Sequence, residues 1–329
     1  MGVLIVNTKE HSTVFHLEFE DNRLLPTLFG QLDENLKIIE QRLSVSLVSR
    51  GNKVAIYGPD DATIEAAQAL RILYRRLQQG NPIDENDVDA AVRMVSSPYG
   101  EEGSTDLLSI KTKKRVIQPR TPGQAEYIEA LKNNELVFGV GPAGTGKTYL
   151  AVAVGVSMML QGKVERIILS RPAVEAGEKL GFLPGDLKEK VDPFLRPLYD
   201  ALHDMLPSDV VIKKLASGEI EVAPLAFMRG RTLSSAFVIL DEAQNTTPMQ
   251  MKMFLTRLGP HSRMVINGDI SQVDLPSNIT SGLVTALSTL SGVDEIGFVH
   301  LSEKDVVRHH LVSKIVEAYS RNESKNTKP

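Results

Sequence analysis

Residues Val14–Glu20 alternate apolar and polar side chains, and this period of two predicts a half-buried strand. A short helix is predicted over Leu24–Phe29. The tetrad Gly30-Gln31-Leu32-Asp33 breaks it, and Asp33 is placed to cap a second helix whose face carries Leu36, Ile39 and Leu43. Ser44–Ser49 and Val54–Tyr57 predict paired strands around the turn Arg50-Gly51-Asn52-Lys53. A final helix from near Asp61 to Gln78 carries Ala66, Leu70 and Leu73 on one face. Residues 1–80 thus predict a small α+β domain in the order strand, helix, loop, helix, strand, strand, helix.

Residues 81–116 are more polar and predict a linker with a short helix near Asp87–Val95 and a turn-rich stretch over Ser96–Ser104. From residue 117 the pattern changes. Apolar strand candidates at Glu135–Val140, Arg166–Leu169, Phe237–Leu240, Met264–Asn267 and Ile296–Leu301 alternate with helical stretches. That alternation predicts βαβ units, hence an α/β domain with a mostly parallel sheet over 117–320. Residues 321–329 are polar and predict a disordered tail.

Composition narrows the chemistry. Cysteine is absent, which excludes disulfides, thiolate catalysis and cysteine-held metals. The formal net charge of −4 means that nucleic-acid binding would need a local basic patch. One candidate is Lys111–Arg120, with five basic and no acidic residues, including Lys113, Lys114 and Arg115; such runs are usually solvated surface. The N-terminus has no signal-peptide pattern and no apolar run is long enough to span a bilayer, so a cytoplasmic protein is expected.

The most specific signal is Gly141-Pro142-Ala143-Gly144-Thr145-Gly146-Lys147-Thr148. A buried-strand run enters Gly141, and an apolar helix beginning around Tyr149 follows Thr148. Strand, glycine loop and helix form the setting in which backbone N–H groups and a helix N-terminus cradle phosphates. Lys147 is expected to reach the β- and γ-phosphates of ATP, and Thr148 to ligate Mg²⁺.

A second apolar strand ends in Asp241-Glu242-Ala243-Gln244. Asp241 is expected beside Mg²⁺, and Glu242 to polarise the attacking water. A third strand leads into Gly268-Asp269-Ile270-Ser271-Gln272, where Gln272 could sense the γ-phosphate or hold that water and Asp269 could support the metal shell. Thr121-Pro122-Gly123-Gln124 admits two readings: adenine recognition by the Gln124 amide, or a helix cap with Thr121 at its start.

Together these motifs resemble the PhoH family, in its YbeZ-like branch with an added N-terminal domain. The stretches Ser170–Asp186 and Asp305-Val306-Val307-Arg308-His309 are the most distinctive. The resemblance implies a RecA-like P-loop NTPase related to the first motor domain of superfamily 1 helicases. Within it, Gly141–Thr148, Asp241-Glu242 and Gly268–Gln272 match helicase motifs, Gln124 matches the adenine-contacting glutamine, and Tyr149 adjoins the nucleotide. Ser170-Arg171-Pro172 falls where helicases contact the strand, which makes Arg171 a nucleic-acid candidate. No second motor domain follows, so a homo-oligomeric ring is expected, a hexamer, with a neighbour's arginine completing the site; Arg308, Arg229 and Arg231 are the candidates.

The N-terminal element order resembles a KH domain, although its Gly30–Asp33 loop lacks the second glycine of the clamp and Asp33 would repel phosphate. The expected activity is ATP hydrolysis in RNA metabolism, RNA-stimulated or helicase-like, beside a YbeY-like endoribonuclease. Two alternatives stand: a small-molecule phosphotransferase, and an ATP-dependent scaffold or protein-remodelling partner of an RNA-processing nuclease.

Overall fold

The computed structural model describes residues 13–100, 107–172 and 187–307, with positions 312 and 315. Arg308, the tail 321–329, and residues 173–186 of the distinctive motif lie outside the described residues. The chain divides into two compact units, one reaching Leu107 and including Arg120–Pro122, the other formed by Leu108–Pro119 and the chain from Gly123.

The first unit contains β1 (Thr13–Glu18), α1 (Leu25–Phe29), α2 (Glu34–Leu43), β2 (Ser46–Arg50), β3 (Lys53–Gly58), α3 (Asp60–Gln78) and α4 (Glu85–Val95). Its sheet has the order β1-β3-β2, with both neighbours antiparallel to β3. Period-two burial is visible in β3, where Val54 and Ile56 are fully buried. The buried side of the sheet meets Ala66, Leu70 and Leu73 of α3. Val88, Ala91, Val92 and Val95 of α4 enter the same core. The helix expected within a linker is therefore a structural member of this unit.

The expected Asp33 cap is not formed. Leu32 and Asp33 both lie in the left-handed region, with φ of 52° and 60°, and Asp33 makes no capping hydrogen bond. Buried Asn35 joins the helices instead: its Nδ2 donates to the carbonyls of Thr27 and Leu28 at 3.2 and 3.1 Å, satisfying acceptors at the end of α1. Gly30, at φ 78°, leaves room for it, since a Cβ there would meet Asn35 Cγ at 2.9 Å. Asn35→Ala should therefore lower the stability of this unit by about 1–3 kcal/mol, because two carbonyls lose their donor. Urea denaturation checks this, and an unchanged midpoint would remove Asn35 from the account.

The second unit begins with the hairpin β4 (Ile110–Lys111) and β5 (Val116–Ile117). It continues through α5 (Pro122–Asn133), β6 (Leu136–Val140), α6 (Lys147–Leu160), β7 (Arg166–Arg171), α7 (Leu187–Met205), α8 (Ser208–Ser217), β8 (Ile220–Pro224), β9 (Ala236–Leu240), α9 (Pro248–Leu255), β10 (Arg263–Gly268), α10 (Gly282–Leu290) and β11 (Ile296–His300). Six strands form a wholly parallel sheet in the order β11-β6-β10-β9-β7-β8, a RecA-like arrangement. Strand β8 was not expected from the sequence. It is short, ends in Pro224 and sits at the sheet edge, where proline is tolerated.

Strand β9 is buried at all five positions, as a strand covered on both faces must be. Helix α6 is buried from Leu150 to Met159 and lies tight against the sheet: a Cβ at Gly155 would meet the Phe237 ring at 2.8 Å. Among the described residues, no helix is long and apolar enough to cross a membrane.

Candidate active site

Register fixes the site. Val140 of β6 pairs with Gly268 of β10, Ile266 with Leu240 of β9, and Leu240 with Ser170 of β7. Four strand ends therefore release their following residues at one edge of the sheet, where ligands bind in open α/β folds. A cleft of about 530 Å³ opens there, lined by Gly144, Lys147, Thr148, Asp241, Glu242 and Asp269 among others.

The phosphate loop is held from three sides. Gly144 and Gly146 adopt φ of 84° and 82°, which turn successive N–H groups inward. Gly141 donates its N–H to Gly268 O at 3.1 Å, and Val307 donates to Gly144 O at 3.0 Å. Lys147 is 9% exposed, and its Nζ donates to Gly141 O (2.6 Å), Pro142 O (2.8 Å) and Thr145 Oγ1 (3.3 Å). Burial pushes its pKa below the ordinary lysine range, opposed by the nearby charges of Asp269, Asp241 and Glu242.

The loop and the acidic strand are already joined. Thr148 Oγ1 donates to Asp241 Oδ1 at 2.7 Å. With its hydrogen spent there, the hydroxyl presents only lone pairs to the cleft, as a Mg²⁺ ligand must. Asp269 lines the same cleft, is 7% exposed, and its Oδ2 lacks a hydrogen-bond partner. Among the described residues, no group of three His, Cys, Asp or Glu could hold a metal alone. This donor set fits an ion that takes most of its ligands from phosphate and water.

Glu242 sits at φ 54°, just past the strand end, and is held by neighbours. Gln244 Nε2 donates to Glu242 Oε2 at 2.7 Å, and Gln244 Oε1 accepts from the Asp269 N–H at 3.0 Å. Gln244, 1% exposed, therefore ties the acidic pair to the loop after β10.

The PhoH-like protein family model matches residues 116–320. A PhoH-like protein of Bacillus subtilis is 50% identical over 315 residues, covering 95% of this chain and 99% of that one. The chain belongs to the PhoH family. Protein PhoH of Escherichia coli is 39% identical over 274 residues, covering 82% of this chain and 75% of that protein. Among solved structures, a Sulfolobus solfataricus SWI2/SNF2 ATPase core in complex with dsDNA overlaps 59% of this chain and 46% of its own, at 14% identity and a TM-score of 0.34.

The other residues singled out in this PhoH-family sequence fall in different places. Gln124 Nε2 donates to Thr145 O at 3.0 Å, so the glutamine braces the phosphate loop from α5. Pro142, Ala143, Thr145, Gly146 and Tyr149 lie in the loop or open the following helix, and Gln272 lines the cleft. Arg231 is closed in a two-pronged pair with Glu221, at 2.6 and 2.7 Å, and Arg229 is exposed. In the β4–β5 turn, Lys114 donates to His203 O at 2.7 Å and Arg115 pairs with Asp204 at 3.4 Å, while Lys113 is exposed. Two of the three cations in this turn are thus engaged with α7.

Two contributors were not foreseen. Gln244 lies two residues after Glu242, and its link to Asp269 depends on β10 lying beside β9. Asp305 accepts from the Gly123 N–H (3.1 Å) and the Ser302 N–H (2.8 Å), which fastens the segment after β11 to α5 beside the loop. Its sequence signal was the Ser302–Asp305 spacing of a capping box.

Proposed function

We propose that this PhoH-family protein is a Mg²⁺-dependent ATPase that transfers the γ-phosphoryl group of ATP to water. The observation that carries this reading is the Thr148–Asp241 hydrogen bond, which couples the phosphate loop to the acidic strand with Glu242 adjacent. Mg²⁺, held through Thr148 and Asp241, would withdraw charge from the phosphate oxygens. Lys147 binds the phosphates, and the loop N–H groups orient them. Glu242 takes a proton from water as the water oxygen bonds to the γ-phosphorus and the bond to the β–γ bridging oxygen breaks. Gln244 and Asp269 keep Glu242 in place.

RNA is the proposed effector. Support comes from the exposed Lys113 and from Arg171 at the cleft edge of the sheet. A neighbouring copy in a ring would supply the arginine that stabilises transition-state charge, for which exposed Arg229 is a described candidate. The direct test is phosphate release by the purified protein with Mg²⁺ and ATP, with and without single-stranded RNA. Hydrolysis that RNA stimulates is expected. Phosphate appearing only on a small-molecule acceptor would favour a phosphotransferase instead, and no ATP turnover under any condition would defeat the proposal.

A further inference from the structure

Arg171 ends β7, and the proposed hydrolysis does not use it. The family resemblance makes it a candidate to contact a nucleic-acid strand. In the structure its guanidinium lies on the two carboxylates that hydrolysis requires. Nε and Nη2 donate to Asp241 Oδ2 at 3.1 and 2.9 Å, and Nη2 also donates to Glu242 Oε1 at 3.0 Å. The other two oxygens are taken by Thr148 and Gln244. All four carboxylate oxygens therefore have a donor, and Arg171 serves two of them.

This placement has chemical consequences. A fixed guanidinium repels a divalent cation approaching Asp241, and it fills an acceptor position on Glu242 that a water would otherwise bond to. The Arg171 side chain is 16% exposed while that of Glu242 is 44% exposed, so the cation is mostly covered and the acid it holds is open to solvent. A guanidinium fork also fits the paired oxygens of a phosphodiester as well as those of a carboxylate. Because β7 ends at the same sheet edge as the cleft, a backbone phosphate at that edge would compete with Asp241 and Glu242 for one side chain.

We propose that Arg171 is a latch with two exchangeable partners, the Asp241–Glu242 pair and the phosphate backbone of a single-stranded nucleic acid, so that strand binding frees the carboxylates for Mg²⁺ and water. This rests on the ATPase reading above and adds to it the residue that couples strand to nucleotide. The coupling is reciprocal: whatever factor the strand adds to metal–nucleotide affinity, metal–nucleotide adds to strand affinity.

The test uses the full chain and two binding measurements. Mn²⁺, standing in for Mg²⁺, is titrated with a non-hydrolysable ATP analogue and followed by electron paramagnetic resonance. Labelled oligo(U) or oligo(dT) of roughly 20 nucleotides is titrated by fluorescence anisotropy at low salt. In the wild type, the strand should tighten Mn²⁺ binding about fivefold or more, with the same factor in the reverse direction. In Arg171→Ala the factor should fall to about one, with Mn²⁺ affinity in the absence of strand raised towards the strand-bound wild-type value. A coupling factor unchanged in Arg171→Ala overturns the latch. So does weaker Mn²⁺ binding in a variant that melts like the wild type, which would make Arg171 a support for the carboxylates.

Should Arg171→Ala not fold, Glu242→Gln removes one anchoring charge without touching the arginine. It should tighten strand binding severalfold, and unchanged affinity there overturns the proposal. Failure of the latch is separable from failure of the ATPase reading. Wild-type hydrolysis with no strand effect removes the latch alone, whereas absence of wild-type hydrolysis removes the ATPase.

Discussion

Glu242→Gln is expected to leave ATP bound and unhydrolysed. The substitution keeps the side-chain shape and can still meet Gln244, but it replaces one carboxylate oxygen by an NH2 donor and removes the charge and basicity that take the proton from water. Loss of a positioned general base typically costs about 10²–10⁴ in rate. The loop, Lys147 and the Thr148–Asp241 bond are untouched, so ATP affinity should stay within about threefold of the wild type. Single-turnover hydrolysis beside equilibrium ATP binding separates the two quantities. Wild-type turnover in this variant would remove Glu242 from the chemistry.

Lys147→Ala should fail one step earlier, at binding. Its ammonium is the cation within the loop, facing a cleft lined by Asp241, Glu242 and Asp269. A unit charge about 4 Å from a phosphate oxygen contributes on the order of 4 kcal/mol at an effective dielectric of about 20. Some of that is offset in the wild type, because Nζ must give up its bonds to Gly141 O and Pro142 O. A loss of about 10²–10³ in ATP affinity is expected, equivalent to about 3–4 kcal/mol. Titration calorimetry measures it. The same lysine gives the wild type a pH signature: its pKa lies below the ordinary lysine range, the charged form binds phosphate, and affinity should therefore decline with rising pH before an ordinary lysine would titrate. Unchanged affinity in the alanine variant would assign phosphate binding to the backbone alone.

Legibility in the sequence followed distance along the chain. Gly141–Thr148 was readable because one contiguous stretch contains the strand exit, the loop and the helix start. Asp241-Glu242 was readable because an apolar run ends on it. Arg171 reads in the sequence only as a strand-contacting candidate, since the two carboxylates it holds lie 70 and 71 positions away and meet it only because β7 pairs with β9. The Asp33 cap followed from residue preference, but two successive left-handed residues turned its side chain out of service, and Asn35 acts across the turn instead. Strand β8 was missed because a short edge strand has little apolar pattern to show. Lys114 and Arg115 read as free charge because sequence carries no sign of His203 and Asp204 nearby.

The sheet order also bears on how the protein is made. The phosphate-loop strand β6 has β10 on one side and β11 on the other, and Ile296 of β11 pairs with Leu136, 160 positions earlier. Asp305 then reaches back 182 positions to Gly123, and Val307 closes onto Gly144. On a ribosome adding about 5–20 residues per second, the loop strand waits roughly 10–30 s for its last neighbour. Until β10 emerges both edges of β6 are unpaired, one edge stays so until β11 follows, and throughout the loop lacks its outer support. A nascent chain stalled before β11 should therefore be unable to retain ATP although the phosphate loop and the acidic pair have been synthesised, and the nucleotide site matures only once β11 and the segment to Val307 have emerged.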